Sequence, residues 1–389
     1  MPRIVTPTAV FASFAISFAG SSAVSLLAAC GDNVTRQLDA APAEAGPSRA
    51  VVVAGDFQMG DFGVLSTLDP VARTVQMDVG PPGAVGSDPV LRHIGRELLI
   101  VNRGENNVTI LDDKTLAFKD QLGTGAGSFA QDVAVAGNKL YVPATGTKGV
   151  IVLTRGSTAT AEIDLSADDP DGKPDCNSIY LVGTRLYVAC GLLHDFVASG
   201  PGKVYVVDTA TDKVVPGLTV TLGHKNPLGW FEQFPAGGPI AGDLVIPTVE
   251  DFDTAPGCVE RITPGASPKA SGCLVDNAML GGYATRLELE IDTDGQIMWT
   301  VTGIPKDFSH GNLRAFDMSL SAVWAGPINP SSQWVTDVAH CPSGQLVMFD
   351  STMNAAGLRV YEGTAEKTTQ ALPIGKIMAP VLQHGLVCY

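Results

Sequence analysis

A seven-bladed, all-β propeller is the fold this sequence predicts, and three observations predict it. One phrase recurs through the chain: an apolar stretch, a tight turn, a second apolar stretch, then a Gly- or Asn-rich loop. No helical period persists after residue 49, where short apolar runs alternate with Gly, Asn, Asp and Pro instead. The second stretch of the phrase starts at Val51, Leu98, Leu140, Leu186, Leu244, Ile297 and Leu346, giving spacings of 47, 42, 46, 58, 53 and 49 residues. Periods of that size, with about four short strands per unit, are those of propeller blades. A β-sandwich is the rival fold, but sandwiches do not repeat one phrase seven times. Composition agrees: 43 Gly with only 17% charged and 45% apolar residues favours short strands and turns over a helix bundle.

Residues 1–29 carry one charge, Arg3, followed by Val, Ala, Phe, Ile, Ser and Leu and ending Leu26-Leu27-Ala28-Ala29-Cys30. A basic start, an apolar middle and small residues before a cleavage point describe an export signal. The ending resembles a bacterial lipobox, and that resemblance implies a lipid-modified Cys30 at the mature N-terminus. A transmembrane anchor is the competing reading, since about 20 apolar residues span a bilayer. Residues 30–48 are small, polar and Pro-containing, as expected of a lipidated flexible tether. Residues 49–389 form the predicted propeller. The expected location is the cell envelope, lipid-anchored on a periplasmic or surface face.

Within the propeller, strands are lettered A to D from the channel outward. The clear copies of the phrase are 93–103, 135–145, 181–191 and 340–350, with weaker ones at 238–248 and 292–302. One unit reads B at Lys139–Pro143, C at Gly149–Thr154 and D at Ala159–Asp164, with the next A at Cys176–Val182. Another reads B at Arg185–Ala189, C at Lys203–Asp208 and D at Val215–Leu222. The domain opens on a B strand, and Pro380-Val381-Leu382-Gln383-His384 matches the A phrase Pro89-Val90-Leu91-Arg92-His93. The C-terminal A strand is therefore expected to complete the N-terminal blade and close the ring.

The stretches 104–116, 138–145 and 202–215 resemble the YVTN-type propeller repeats of bacterial cell-surface and exported proteins. Tyr141-Val142-Pro143-Ala144 and Tyr187-Val188-Ala189-Cys190 stand where the repeat has its name-giving residues. The resemblance implies the propeller fold; such propellers host many roles, so it implies no single chemistry.

Lipidation of Cys30 leaves six of the seven Cys, an even number suited to an oxidising compartment. Cys176 and Cys190 are symmetric about the A–B turn at Gly183, so they oppose each other directly. Cys258 and Cys273 flank Pro264-Gly265-Ala266-Ser267 and bridge a C–D hairpin. Cys341 and Cys388 remain, in neighbouring blades, where a bridge clasps the C-terminus. Free buried Cys or metal ligation are the alternatives, and no Cys-x-x-Cys spacing supports zinc.

The B–C and D–A loops share one face of a propeller. Asp-Phe recurs there at Phe57, Phe62, Phe196, Phe252 and Phe308, and the D–A side adds Phe129, Trp230, Phe231, Tyr283 and Trp334. Aromatic platforms flanked by acceptors suit sugars, peptides or cationic ligands; rings that plug blade gaps, with Asp capping turns, are the competing reading. The candidate binding face is thus Phe57, Phe62, Phe196, Trp230, Phe252, Phe308 and Trp334. Asp169, Asp171 and Asp175 sit in an Asp-rich, Gly-containing loop like the start of a Ca²⁺ loop, although its distal Glu is missing; a solvated turn is the alternative. His93, His340 and His384 lie near the ends of A strands in adjacent blades and are candidates for a channel metal. Asp88, Asp132 and Asp337 begin A strands near the opposite mouth, where they ring the entrance or cap turns.

No nucleophile elbow, haem motif or phosphate loop is persuasive, so no catalytic residue is assigned. Formal charge is −15, becoming −16 without residues 1–29, which argues against nucleic acid. The sequence therefore predicts a binding or scaffolding module at the cell envelope. Its partners are the membrane, through the lipid, and an envelope protein, peptide or glycan. No cofactor is expected beyond Ca²⁺. A lactonase-like or metal- or quinone-dependent propeller enzyme and a purely structural envelope protein are the alternatives.

Overall fold

The computed structural model describes residues 48–55, 63–235, 240–250, 256–291, 296–318, 321–323, 326–375 and 383–389. Cys30, the export signal and Phe57, Phe62 and Phe252 lie outside them.

Among the described residues, seven antiparallel blades are arranged in the meander that the repeat predicts, the first completed by the C-terminal strand, and a separate two-stranded hairpin, Leu193–His194 with Val197–Ala198, lies within blade four. Blade two is representative: A at Pro89–Ile94, B at Glu97–Asn102, C at Asn107–Asp112 and D at Phe118–Gly123. Blade three begins with A at Ala134–Ala136 and keeps B at Lys139–Pro143 and C at Gly149–Thr154; blade four has A at Cys176–Val182 and B at Arg185–Cys190. Blades five, six and seven open with A at Glu232–Gln233, Tyr283–Ile291 and Val335–His340.

Two turn chemistries explain the repetition. Between A and B, Gly95, Gly137 and Gly183 adopt φ of 63°, 61° and 62°, the left-handed geometry a two-residue hairpin needs and glycine adopts without strain. After strand C, the side chains of Asp69, Asp112 and Asp208 each accept from the amides two and three residues on. Four residues after each Asp, Arg73, Leu116 and Asp212 sit at φ 58°, 58° and 54°. One local solution is thus written three times.

The sheets bury both faces against their neighbours. Seven apolar clusters occupy the seven blade interfaces, among them Trp299, Leu313, Met348 and Tyr361 between blades six and seven, and Val52, Leu68, Phe349 and Leu358 between blades seven and one. Two repeat tyrosines add a polar tie: Tyr141 Oη donates to Asp212 in the next blade at 2.6 Å, and Tyr187 Oη accepts from the Gly265 amide at 3.0 Å.

The ring closes by terminal pairing, as expected; residues 380–382 of the expected phrase lie outside the described residues. Gln383–Cys388 pairs with Ala50–Gly55, with Ala50 opposite Cys388. Strand D of blade four is Val220–Lys225 rather than Val215–Leu222, because Pro216 and Gly217 (φ 76°) turn the chain first. All three predicted disulfides are present: Cys176–Cys190, Cys258–Cys273 and Cys341–Cys388. Cys176 and Cys190 oppose each other directly. Cys258 and Cys273 do not, since Cys273 faces Glu260 and register shifts in the hairpin bring the two sulfurs together diagonally.

Candidate ligand site at the channel mouth

The inner strands carry ions that the apolar repeat hides. Arg92, on strand A of blade two, donates through Nε and Nη2 to both oxygens of Asp132, at 2.7 and 2.9 Å. Asp132 is fully buried and also accepts the Val133 and Ile179 amides, so one carboxylate joins blades two, three and four. Ser178 Oγ donates to the same carboxylate and accepts the Phe231 amide, extending the chain to blade five. Across the channel Arg286 makes the same fork to buried Asp337, at 2.5 and 2.8 Å, joining blades six and seven. Such forks match the planar geometry of guanidinium and carboxylate and recover much of the cost of burying both charges.

Trp230 completes this belt. The Arg286 and Arg92 guanidinium carbons lie 3.2 and 4.3 Å from its ring centroid, placing both cations against the negative π-face. Deeper in the channel stand Glu232 and Glu288. Desolvation pushes Glu232 up to about 7 against the pull of Arg92 and Arg286. Desolvation first, then the charge of Glu232, holds Glu288 well above the usual carboxylate range. Desolvation and the neighbouring Glu232 push the Tyr180 phenol up to about 12.

A cavity of about 320 Å³ opens above the belt, walled by Asp88, Arg103, Gln131, Asn177, Trp230, Thr285, Arg286 and Asp337 among others. It lies on the face that carries the B–C and D–A loops. Arg103 donates to Asp88 at 3.3 Å, while its Nε is buried with no hydrogen-bond partner among the described residues. The wall is therefore polar and close to charge-balanced, with donor capacity left over.

The sequence-predicted residues divide. Trp230 lines the cavity, but two guanidinium groups occupy its ring, so it offers an edge rather than an open platform. Phe196 tops a small hairpin between strands B and C of blade four and is 92% exposed. Trp334 is half-buried, its amide bonded to Asp350 and Thr352. Phe231 and Tyr283 are core residues, at 0% and 4% exposure. Phe308 does not sit in a long loop: strands B and C of blade six meet at a tight turn, and Phe308 falls within C, Asp307–Asp317; its side chain lies outside the described residues.

The Asp-rich loop closes on itself. Asp169 accepts the Asp171 amide and Asp171 accepts the Lys173 amide, which is turn-capping chemistry, while Asp175 accepts the Leu193 amide from beyond strand B. Desolvation, with Asp169 and Asp171 nearby, pushes Asp175 up to about 6. The three carboxylates do not gather as ligands of one ion. Of the three histidines, His93 stacks on Tyr389 at 3.9 Å and contacts Asp113 at 3.2 Å, and the His384 side chain lies outside the described residues. Among the described residues the ligand-type side chains that converge are His224, Cys258 and Cys273.

Asp88 and Asp337 were legible as mouth residues; Arg92, Arg103, Arg286, Glu232 and Glu288 were not. Their one signal is a charge inside or just after an inner strand, the place where a propeller otherwise packs small apolar residues.

Comparison with known proteins supports the architecture. No family model matches the chain, and no curated protein sequence matches it. Solved structures do. A protein from Bacteroides uniformis provisionally named a 6-phosphogluconolactonase superposes with a TM-score of 0.57 at 11% identity, over 88% of this chain and 100% of that one. AztD from Citrobacter koseri gives 0.50 at 12% identity, over 88% and 97%. A streptogramin B lyase gives 0.50 at 9% identity, over 74% and 83%. At such identities the likeness establishes the seven-bladed fold and leaves the chemistry to this chain's own residues.

Proposed function

We propose that this chain is an exported, lipid-anchored binding propeller that captures a glycan fragment at its channel mouth. The cavity carries the reading. Its amides, threonine hydroxyls, carboxylate–guanidinium pairs and tryptophan edge offer in-plane donors and acceptors beside apolar surface, which is what a ring of hydroxyls and C–H groups requires. Its balanced charge selects a neutral or zwitterionic ligand, and Arg103 Nε supplies a buried donor for an incoming oxygen. The Leu26-Leu27-Ala28-Ala29-Cys30 ending and the repeat resemblance support envelope anchoring. Three disulfides suit an oxidising compartment.

One observation favours a second reading, a hydrolytic propeller enzyme. Glu232, held up to about 7, has the value of a general acid–base. Position counts against it, since neither Glu232 nor Glu288 lines the mouth cavity.

The test is a glycan array followed by calorimetry on the best binder. Arg103→Ala and Asn177→Ala are expected to weaken binding at least about tenfold, or 1.4 kcal/mol, with little change in melting temperature. No glycan binding, or full binding in both variants, sinks the ligand assignment. Turnover of a bound glycan that Glu232→Gln abolishes would favour the enzyme. As a second arm, Cys30→Ser should leave the membrane fraction; retention there sinks the anchor.

A further inference from the structure

A second site lies on the outer edge of blades four and five. His224, on strand D of blade four (Val220–Lys225), points at the disulfide of the blade-five C–D hairpin. Its Nδ1 is 3.5 Å from Cys258 Sγ and 3.9 Å from Cys273 Sγ. The same nitrogen is 3.0 Å from Oε1 of Glu260, a carboxylate at 1% exposure whose two oxygens accept the Gly223 and His224 amides at 2.9 and 2.6 Å. A buried carboxylate fixed by two amides thus aims an imidazole at two sulfurs. That is more than the bridge needs for holding a hairpin together.

We propose that reduction of Cys258–Cys273 converts this cluster into a zinc site with Cys258 Sγ, Cys273 Sγ, His224 Nδ1 and Glu260 Oε1 as ligands. The distances carry the inference. Zinc bonds of about 2.3 Å to sulfur and 2.1 Å to nitrogen set tetrahedral N···S edges of roughly 3.6 Å and an S···S edge of roughly 3.8 Å. Both N···S edges, at 3.5 and 3.9 Å, are already close to that length, and the N···O contact is 3.0 Å, against roughly 3.4 Å for a tetrahedral N···O edge. Cleavage of the bond opens the S···S edge, and Glu260 Oε1, which lies outside the cluster formed by His224, Cys258 and Cys273, closes on the sulfurs as the metal enters. Glu260 Oε2 keeps the Gly223 amide throughout, the outer hydrogen bond that orients a ligating carboxylate.

The bridge is also the accessible one. Cys273 is exposed and Cys258 is buried, whereas Cys176, Cys190 and Cys341 are buried and Cys388 is half-buried. A dithiol reductant attacks Cys273 Sγ; the S–S bond breaks and Cys258 leaves as a thiolate beside the imidazole. The second thiol of the reductant resolves the mixed disulfide. The products are two protein thiols and one oxidised dithiol, so two electrons and two protons are accounted for. Zinc then displaces the two thiol protons, and the ring proton, held on Nδ1 by the Glu260 carboxylate, moves to Nε2. Oxidation reverses the sequence and expels the metal.

The experiment uses the intact chain under native conditions, reduced with a limiting phosphine that is removed before metal is added. Thiol labelling should find Cys258 and Cys273 first. The reduced protein should then retain one equivalent of Zn²⁺ through gel filtration, and the oxidised protein none. Co²⁺ should give the intense thiolate charge-transfer bands of a tetrahedral site, and His224→Gln should weaken zinc at least tenfold. Labelling elsewhere first, equal zinc in both redox states, or no loss in His224→Gln overturns the site. Should His224→Gln fail to fold, the wild-type Co²⁺ spectrum decides: octahedral, thiolate-free bands overturn it.

Discussion

Asp132 serves four partners from one buried carboxylate: the Arg92 fork, two backbone amides and the Ser178 hydroxyl. Both of its oxygens are engaged, and Arg92, with Trp230 against it, depends on Asp132 in return. Removing one member of such a pair strands the other charge in a dry setting, which costs more than the pair contributes when intact. Asp132→Ala is therefore expected to lower the unfolding free energy by about 3–5 kcal/mol, read as a reduced urea midpoint, with Asp132→Asn intermediate. A change below about 0.5 kcal/mol, the scale of an ordinary surface substitution, would mean the belt is decoration. The contrast is Phe196: a ring at 92% exposure has no core to lose, so its place at a hairpin tip belongs to surface contacts.

Strands and turns show why the fold was legible when the site was not. Each blade solves the same local problem with the same residues, as Asp69, Asp112 and Asp208 do after strand C, so a periodic sequence follows from a periodic backbone. Cysteine pairing could be read from the same near-symmetry at Cys176 and Cys190, where Val182 faces Arg185 and an irregularity between Cys176 and Ser178 brings the two cysteines opposite each other. At Cys258 and Cys273 the pair was right although register shifts broke the strict symmetry. The channel ions recur in only two blade pairs, as the Arg92–Asp132 and Arg286–Asp337 forks. Trp230 receives its two cations from blades two and six, and nothing local to any of the three announces the meeting. The closing blade carries its own expectation. Its inner strand is tied by Arg49 and Tyr389 exchanging backbone bonds at 2.8 and 3.1 Å and by the Cys341–Cys388 bridge across 47 residues. A loop of that size is worth about 4 kcal/mol in the chain-entropy model, against about 3 for the 14-residue separation of Cys176 and Cys190. Replacing Cys341 and Cys388 with Ser should speed amide exchange in Ala50–Gly55 before other B strands. Replacing Cys176 and Cys190 should leave that strand alone, and equal exchange in the two variants would show that the clasp does not guard the seam.

Across the whole molecule, charge sets a stability optimum that the net value of −15 does not indicate. Two populations of acids oppose each other. Asp112, Asp164, Asp168, Asp212 and Glu366 are held below the usual range. Asp112 and Asp164 are lowered chiefly by the Thr115 and Ser166 hydrogen bonds and Asp168 by its bond from Lys203, while in Asp212 and Glu366 desolvation raises the value and the hydrogen bonds, led by those from Lys139 and Arg359, outweigh it. The stability they contribute is present above an ordinary carboxylate value and is lost as pH falls through their folded values. Glu232, at about 7, Asp175, at about 6, and Glu288 are held above it, mainly by desolvation. Between an unfolded value near 4 and those folded values the native state binds more protons than the unfolded chain, so stability declines as pH rises through that window. The two slopes meet at acidic pH. Urea midpoints measured from pH 3 to 8 should therefore peak near pH ~4 and fall toward pH 8. Glu232→Gln, which deletes the charge that the channel resists, should flatten the neutral limb while leaving the acid limb in place. An unchanged neutral limb in that variant would locate the resistance elsewhere, and a midpoint that rises to pH 8 would mean the channel hydrates its acids well enough to ionise them without cost.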